Sequence, residues 1–291
     1  MARIKLVLAM AVVGTIGIFT RNIPLESHSI ALLRAAFAAA TLGIYLLILR
    51  PKLRFRCVVK DLLLLVTSGV CLGLNWTFLF EAYDHIPYSV ATLCDYFAPV
   101  VVMILAPVVF KEKLTARQII CFCAATAGLV LLIGVGSGEP VKLHGVLIGL
   151  TGMLFYVPVM LINKALGHIS SIWRTFLQFV SAAVLLLLIA PLTGSANFSQ
   201  MTPFAWCNAG VVGVVHTAIA YRVCFSSLAK LPGQEGAILT YADPLVAVLV
   251  SVFVMHEPIT ATQILGGILL IGSTLLNELT ADPHVPLRKH G

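Results

Sequence analysis

The sequence predicts an all-α membrane protein in which ten transmembrane helices form two inverted five-helix repeats. Three observations lead to this prediction: the composition, a series of long apolar stretches and a repeated segment. Hydrophobic residues make up 59% of the chain and charged residues 11%, and the mean hydropathy is +1.01. Soluble proteins are ~45–50% apolar and ~25% charged. The chain is therefore expected to lie almost entirely in a lipid bilayer.

A transmembrane helix needs roughly 20 predominantly apolar residues. Ten stretches meet this requirement, at about 4–21, 28–49, 61–83, 86–110, 116–135, 145–163, 170–192, 203–229, 233–254 and 261–278. The first follows the basic segment "MARIK", as in a secretory signal, but no small-residue cleavage site precedes Arg21. We therefore expect a retained first helix.

The basic residues orient these spans. With the N-terminus in the cytoplasm, fourteen of the nineteen Lys and Arg residues fall on the inner side, whereas the outer side receives only Arg21 and Lys142. This asymmetry predicts a multi-pass protein of the cell inner membrane with both termini cytoplasmic. It also accounts for the net charge of +7 without a nucleic-acid partner. The seven cysteines lack ligand spacing, so neither disulfide, metal nor cofactor is expected.

A segment of the chain is used twice. Residues 96–119 align with 241–264 at a constant offset of 145, and nine of the twenty-four positions are identical, where about two are expected by chance. Because the repeated unit contains five spans, an odd number, the second copy is predicted to be inverted. The loop "KEKLTARQ" would then be cytoplasmic. Its copy "HEPITATQ", which contains no Lys or Arg, would be external, where those residues are disfavoured. The predicted repeats are residues 1–138 and 139–291, an arrangement typical of secondary transporters.

Three features form a pattern: an early arginine in span two ("ALLRAAFAAA"), a proline midway along spans four and nine, and "E-x-[LI]-T-x-x-Q" after each of those spans. In these features the whole chain resembles the EamA-type proteins of the drug/metabolite transporter superfamily. The resemblance implies ten helices in two inverted halves and ATP-independent export of small metabolites, often amino acids. Span seven, "SSIWRTFLQF", departs from the pattern, so we do not expect symmetric roles for Arg34 and Arg174.

Two prolines mark the middle of the bilayer. Pro99 and Pro244 each remove a helix hydrogen bond and should leave the carbonyls of Asp95 and Thr240 unpaired. Transporters commonly interrupt helices at this depth to form binding sites. We expect the two prolines to act in helix kinking and gating; the alternative is that they kink the helices only for packing.

Acidic and titratable residues lie at a similar depth. A carboxylate there costs roughly 2.5–3.5 kcal/mol on the insertion scale and usually faces a cavity. Asp95 is a candidate for binding a substrate ammonium group or carrying a proton, with a structural hydrogen bond as the alternative. For Asp243, directly before Pro244, the structural interpretation is favoured. His216 is either a titrating group or, more commonly for a lone histidine, a hydrogen-bonded core residue.

Three arginines fall inside predicted spans. Arg174 lies near a span end and is expected to extend to the cytoplasmic surface. Arg34 and Arg222 are deeper, where each either binds a substrate carboxylate or pairs with an internal aspartate. Two GxxxG pairs, Gly69 with Gly73 and Gly145 with Gly149, predict close helix approach.

An amphiphilic substrate needs an apolar wall with a few polar contacts. The predicted substrate-binding residues share a mid-membrane depth and are Asn75, Trp76, Phe78, Asp95, Tyr96, Tyr156, His216, Arg222 and Tyr241. No catalytic or metal-binding residue is predicted.

These features predict a secondary transporter that exports amino acids, neutral or aromatic, and related small metabolites by alternating access. An enzyme is disfavoured because HExxH, GxSxG and GxxxxGK[ST] do not occur. The alternative is a carrier of nucleotide sugars or other organic anions, which would need several cavity-facing cations. Proton coupling is optional for a zwitterion, and Asp95 is the first candidate if it exists.

Overall fold

The computed structural model describes residues 1–49, 59–86, 91, 94–110, 115–133, 142–193, 198–254 and 261–279. Within these ranges every regular element is helical. The helices are α1 (Ala2–Gly14), α2 (Ile16–Thr20), α3 (Ser27–Leu49), α4 (Val59–Tyr83), α5 (Ala98–Phe110), α6 (Ala116–Ile133), α7 (Leu143–Ala165), α8 (Ser171–Thr193), α9 (Pro203–Val211), the π-helix Val212–Ile219, α10 (Ala220–Leu228), α11 (Gly233–Leu239), α12 (Ala242–Phe253) and α13 (Ala261–Leu279).

Six helical segments of the described chain are long and apolar enough to cross a membrane. They are Ala2–Thr20, His28–Leu49, Val59–Ala82, Leu143–Ala165, Ser171–Leu192 and Pro203–Leu228. The protein is therefore a multi-pass helical membrane protein. The other predicted spans are also helical where they are described, but α5 and α12 are only 13 and 12 residues long. The total of ten spans stays a prediction.

The helices of the two predicted repeats pack in matched pairs. Helix α1 contacts α10 and α12, and its repeat counterpart α7 contacts α4 and α5. Helix α3 packs on α8, and α6 packs on α13, so each of these helices meets its own counterpart. The core is shared accordingly: Leu6 and Leu72 from the first repeat and Phe179 and Phe225 from the second are fully buried in one cluster.

The predicted glycine contacts are confirmed. A Cβ atom on Gly69 would lie 2.4 Å from the carbonyl oxygen of Gln178 in α8. A Cβ atom on Gly145 would lie 2.5 Å from the Cγ2 atom of Ile86. Both distances are shorter than real contacts, so only glycine permits the helices to approach this closely.

Helical structure is interrupted at corresponding places in the two repeats. A turn at Phe97 separates helical residues 94–96 from α5, and a turn at Thr240 and Tyr241 separates α11 from α12. These turns fall two to four residues before Pro99 and Pro244. Helical structure is therefore interrupted near both prolines, and their role in gating stays a prediction.

The hydrogen bonding at the second break differs from the prediction. The carbonyl of Thr240 is not unpaired, because it accepts a hydrogen bond from the backbone N–H of Asp243 at 3.2 Å. Pro244 is the third residue of α12, where a backbone N–H would have no intrahelical partner in any case. The helix thus begins anew at the proline rather than losing a bond in its interior.

The two loops with contrasting charge lie largely outside the described residues, namely at 111–114 and 255–260. Their placement on opposite sides of the membrane stays a prediction.

Candidate functional site

The first carboxylate of the site, the partly buried Asp95, is held by an amide from α4. The Nδ2 group of Asn75 donates to Oδ1 of Asp95 at 2.6 Å and to the carbonyl oxygen of Gly152 in α7 at 3.1 Å. Asn75 is only 1% exposed. One amide therefore joins three segments of the chain and leaves the second oxygen of Asp95 available.

The second carboxylate, Asp243, is held across the two predicted repeats. The side chain of Tyr96, next to Asp95 in sequence, is hydrogen-bonded to Asp243 in α12, and Arg34 and Asp95 both lie within electrostatic range of Asp243. A phenol hydroxyl can donate to a carboxylate. The pair Tyr96 and Asp243 thus connects the region around the first helix break to the helix that follows the second.

Arg34 in α3 lies against the same region. Its guanidinium carbon is 4.6 Å from the ring centroid of Trp76, a cation–π geometry. Its Nε atom donates to Oγ1 of Thr217 in the π-helix at 3.4 Å. The side chain is buried, at 9% exposure, and among the described residues this is its one hydrogen bond. The terminal N–H groups of the guanidinium remain available to a ligand.

Aromatic rings form a wall beside these charges. Trp76 stacks on Phe179 with ring centroids 6.2 Å apart, and Tyr221 meets the edge of Trp76 at 6.3 Å. Tyr221 also contacts Phe179 at 5.8 Å. Tyr156 lies within electrostatic range of Tyr221 and of both aspartates. We call this set the central cluster: Arg34, Asn75, Trp76, Asp95, Tyr96, Tyr156, Phe179, Tyr221 and Asp243.

Five of the nine predicted substrate-binding residues belong to the central cluster: Asn75, Trp76, Asp95, Tyr96 and Tyr156. Two others face different neighbours. Phe78 stacks on Phe155 of α7, with ring centroids 5.6 Å apart and planes at 3°. Tyr241 is fully buried and contacts Phe122 and Thr126 of α6.

His216 and Arg222 also lie apart from the cluster's acids. The Nε2 atom of His216 is 3.0 Å from Oγ1 of Thr15, and Nδ1 is 3.3 Å from the carbonyl oxygen of Val211. His216 is therefore a hydrogen-bonded core residue, the alternative favoured by the sequence. The guanidinium of Arg222 lies 5.3 Å from the ring centroid of Tyr45, and its Nε atom is buried without a hydrogen bond in the described structure.

The prediction that Arg174 extends to the membrane surface is wrong. Arg174 is 1% exposed. It donates from Nη1 to the carbonyl oxygen of Leu166 at 2.7 Å and from Nη2 to that of Phe225 at 2.9 Å. Leu166 caps the end of α7 and Phe225 lies in the last turn of α10. Terminal helix carbonyls attract cations, so this arginine fastens two helix ends instead of reaching water.

Sequence reasoning missed Phe179 and Tyr221. Both occur in apolar helices, where an aromatic ring is usually a packing residue. The offset of 145 contains the missing signal, because it places Tyr221 opposite Trp76 and Phe179 opposite Arg34. Among the described residues, no group of three or more His, Cys, Asp or Glu side chains is arranged to hold a metal ion.

Apolar helices that enclose two carboxylates, a guanidinium and an aromatic wall are typical of membrane transporters for small molecules. Comparison with known proteins agrees with this class. The model of the EamA-like transporter family matches residues 2–134 and 143–279. The chain therefore belongs to the EamA-like transporter family.

Individual relatives support the same class. The chain is 27% identical over 279 residues to "Uncharacterized transporter YxxF" of Bacillus subtilis (strain 168), covering 94% of this chain and 88% of the relative. It is 25% identical over 272 residues to an "Uncharacterized transporter" of Archaeoglobus fulgidus, covering 93% and 94%. A solved structure described as "Crystal structure of protein" has a similar fold, with a TM-score of 0.83, 17% identity and coverage of 96% and 99%.

Proposed function

We propose that this transporter exports amino acids, neutral or aromatic ones, and related small metabolites across the cell inner membrane by alternating access. The observation that carries the proposal is the central cluster, which combines one available guanidinium, two carboxylates and an aromatic wall. No nucleotide hydrolysis is required, because a zwitterion carries no net charge and can leave down its own concentration gradient.

Each part of a zwitterion has a partner in the cluster. The substrate carboxylate binds the terminal N–H groups of Arg34, an arrangement that guanidinium geometry favours. The substrate ammonium group binds Asp95 or Asp243. The substrate side chain packs on the rings of Trp76 and Tyr221, which suits neutral and aromatic side chains better than charged ones.

The arginines favour this function over a carrier of nucleotide sugars or other organic anions. Such a carrier needs several cations around its phosphates. Of the arginines Arg34, Arg174 and Arg222, Arg174 is hydrogen-bonded to two backbone carbonyls and Arg222 lies over Tyr45. Only Arg34 joins the central cluster, so the described cations match one carboxylate rather than a diphosphate.

The proposed movement uses ten helices in two inverted five-helix repeats, residues 1–138 and 139–291, with both termini cytoplasmic. The matched packing pairs and the breaks at Phe97 and at Thr240 support this architecture. Pro99 and Pro244 follow the breaks directly and are the proposed gating positions. We expect the half-helices after them to swing while the central cluster stays at mid-membrane depth.

Counterflow in proteoliposomes tests the function. Purified protein is reconstituted with an internal pool of unlabelled amino acid, and uptake of external radiolabelled amino acid is measured over a panel. We expect saturable exchange of aromatic and branched amino acids and none of a nucleotide sugar. Cells overproducing the protein should also tolerate toxic aromatic analogues better than control cells. Exchange of the nucleotide sugar alone, with unchanged tolerance, would contradict the proposal.

Proton coupling is tested separately at Asp95. If Asp95 carries a proton, Asp95→Asn abolishes uptake driven by an imposed pH gradient and spares exchange of substrate for substrate. Wild-type uptake that ignores the gradient would instead identify a uniporter.

A further inference from the structure

An ion pair joins the beginnings of two helices from different repeats. Arg3 is the second residue of α1 and Glu235 is the third residue of α11, 232 positions later in the chain. The Nε group of Arg3 donates to Oε1 of Glu235. The two side chains are unequally accessible, at 38% exposed for Arg3 and 7% for Glu235. Arg3 thus lies partly at the surface, whereas Glu235 lies inside the helix bundle.

The ionisable contacts described at the opposite end are of a different kind: Glu81 contacts His28 and His85, at 3.7 and 3.2 Å, and its side chain is 47% exposed. The offset of 145 relates Glu235 to Val90, which has no charge. The same offset relates Arg3 to Ile148, which has no charge either. The two ends are therefore built alike in their helices and differently in their charges.

The burial of Glu235 determines when the pair forms. A buried carboxylate is strongly unfavourable without a partner, whereas a hydrated one gains little from pairing. If α1 and α11 separate and water enters, Glu235 no longer needs Arg3. The pair therefore stabilises the conformation in which these helix ends are together and contributes little to the one in which they are apart.

We propose that Arg3 and Glu235 form a latch that closes the N-terminal end of the transport path, so that the resting protein favours the conformation open at the opposite end. The inference rests on alternating access in the proposed function. It identifies which end is closed at rest, because the carboxylate described at the other end, Glu81, is 47% exposed and gains little from its histidine partners.

Cysteine accessibility in lipid nanodiscs, which expose both faces, tests the latch without any substrate. On a cysteine-free background, Leu6→Cys reports on the closed end, since Leu6 is fully buried one turn after Arg3. Ile86→Cys, also buried, reports on the predicted external end. With Arg3→Gln, which leaves the buried Glu235 carboxylate without this partner, we expect a membrane-impermeant maleimide to label the Leu6 reporter at least about tenfold faster and the Ile86 reporter more slowly.

Three further variants control the experiment. Lys5→Gln removes an exposed charge from the same turn of α1 and should label at the wild-type rate. Glu235→Gln should change both reporters in the same direction but by less than Arg3→Gln, because it removes the buried charge together with the pair. The exchange Arg3→Glu with Glu235→Arg restores an ion pair and should return both reporters to within about threefold of the wild-type rates.

Wild-type labelling in both single variants would overturn the latch, as would faster labelling of both reporters together, which indicates general loosening. Failure of the exchange variant to restore closure would also overturn it. If Glu235→Gln does not fold, the partly exposed Arg3 provides the deciding variant. Because labelling needs no substrate, a wild-type protein that fails to exchange amino acids would reject the proposed function and leave the latch result standing.

Discussion

Helices α3 and α8 are repeat counterparts that pack against each other, yet they give the central cluster different chemistry. In the first repeat the guanidinium of Arg34 lies 4.6 Å from the ring centroid of Trp76. In the second, Phe179 lies 5.8 Å from Tyr221. Both pairs are separated by 42 positions and are related by the offset of 145. The same contact is thus made twice, once with a cation and once with a phenyl ring.

This difference shows that a repeated scaffold does not require a symmetric site. Symmetric packing positions the two helices, while a single side-chain exchange makes one wall of the cluster charged and the other apolar. A substrate with a charged end and an apolar end fits such walls in one orientation. The asymmetry is consistent with an amphiphilic substrate. A substrate charged at both ends would not be held in one orientation by these two walls.

Helix α8 has its own buried arginine, which shows that burial alone does not indicate function. Arg174 uses two N–H groups on backbone carbonyls at 2.7 and 2.9 Å. Arg34 makes one long bond to a hydroxyl and otherwise lies on a ring. The two arginines differ in whether their guanidinium N–H groups already donate to protein acceptors. We therefore expect Arg174 to act in stability and, in the proposed function, Arg34 to act in substrate binding, and the following substitutions test the difference.

The largest effect is expected for Arg174→Gln. It removes two hydrogen bonds to buried carbonyls that no other described side chain replaces, at a cost of about 1.5–3 kcal/mol each. We expect about 3–5 kcal/mol less stability in thermal unfolding of the detergent-solubilised protein, with exchange per folded molecule within about twofold of wild type.

The matched control is Arg222→Gln, in which the guanidinium lost lies 5.3 Å from the ring centroid of Tyr45. A cation–π contact of this kind contributes about 0.5–1 kcal/mol. Equal stability losses for Arg174→Gln and Arg222→Gln would contradict the structural assignment of Arg174.

The second substitution, Arg34→Gln, should have the opposite effect, with a large loss of exchange and little loss of stability. Loss of a charged hydrogen bond to the substrate carboxylate, about 1.5–3 kcal/mol, lowers exchange about 10- to 100-fold, since 1.4 kcal/mol is a factor of ten. Thermal stability should change by less than about 1 kcal/mol, because Arg34 makes only one long hydrogen bond. Exchange at the wild-type rate would remove Arg34 from the proposed site. Arg34→Phe, which makes the two repeats alike, should lose exchange equally.

The sequence predicts the parts of this arrangement that depend on depth and repetition. Composition and loop charge predict a helical membrane protein, and mid-membrane depth selects Asn75, Trp76 and Asp95, which lie together in the central cluster. It does not identify Arg174, because its partners are helix-end carbonyls of Leu166 and Phe225, brought together only by the packing of α7, α8 and α10. Whether a buried N–H group has a hydrogen-bond acceptor depends on the tertiary structure.

The third test concerns the contacts that hold α3 and α8. A Cβ atom on Gly69 would lie 2.4 Å from the carbonyl oxygen of Gln178 in α8, and one on Gly213 would lie 2.3 Å from Cβ of Phe37 in α3. Neither neighbouring atom can move without its backbone, so each glycine-to-alanine change should cost about 1–3 kcal/mol.

Gly210→Ala is the matched control, because its added Cβ atom would have nothing within 4 Å. Alanine is about 0.5–1 kcal/mol better than glycine inside a helix, so this variant should melt at or above the wild-type temperature. A loss of stability in all three variants would show that the glycines act through something other than contact with α3 and α8.

The smallest effect is expected for Thr217→Val, which isolates what holds Arg34 in place. The Thr217 hydroxyl donates to the carbonyl oxygen of Val212 at 2.8 Å and accepts from Arg34 at 3.4 Å. The second bond is beyond the usual 2.7–3.2 Å range, so we expect Arg34 to be positioned mainly by the ring of Trp76. Valine keeps the shape of threonine, and exchange should fall less than about threefold, under about 0.7 kcal/mol.

Trp76→Leu is the companion variant, because it removes the ring and keeps an apolar side chain. We expect it to lower exchange about tenfold or more, since it frees the guanidinium from its position and also removes part of the wall that binds the substrate side chain. Both rates are measured in the same counterflow assay and normalised to folded protein. The opposite order, with a tenfold loss in Thr217→Val and little in Trp76→Leu, would mean that the π-helix positions Arg34. The contrast between Arg34 with Trp76 and Phe179 with Tyr221 would then no longer explain the asymmetry of the site.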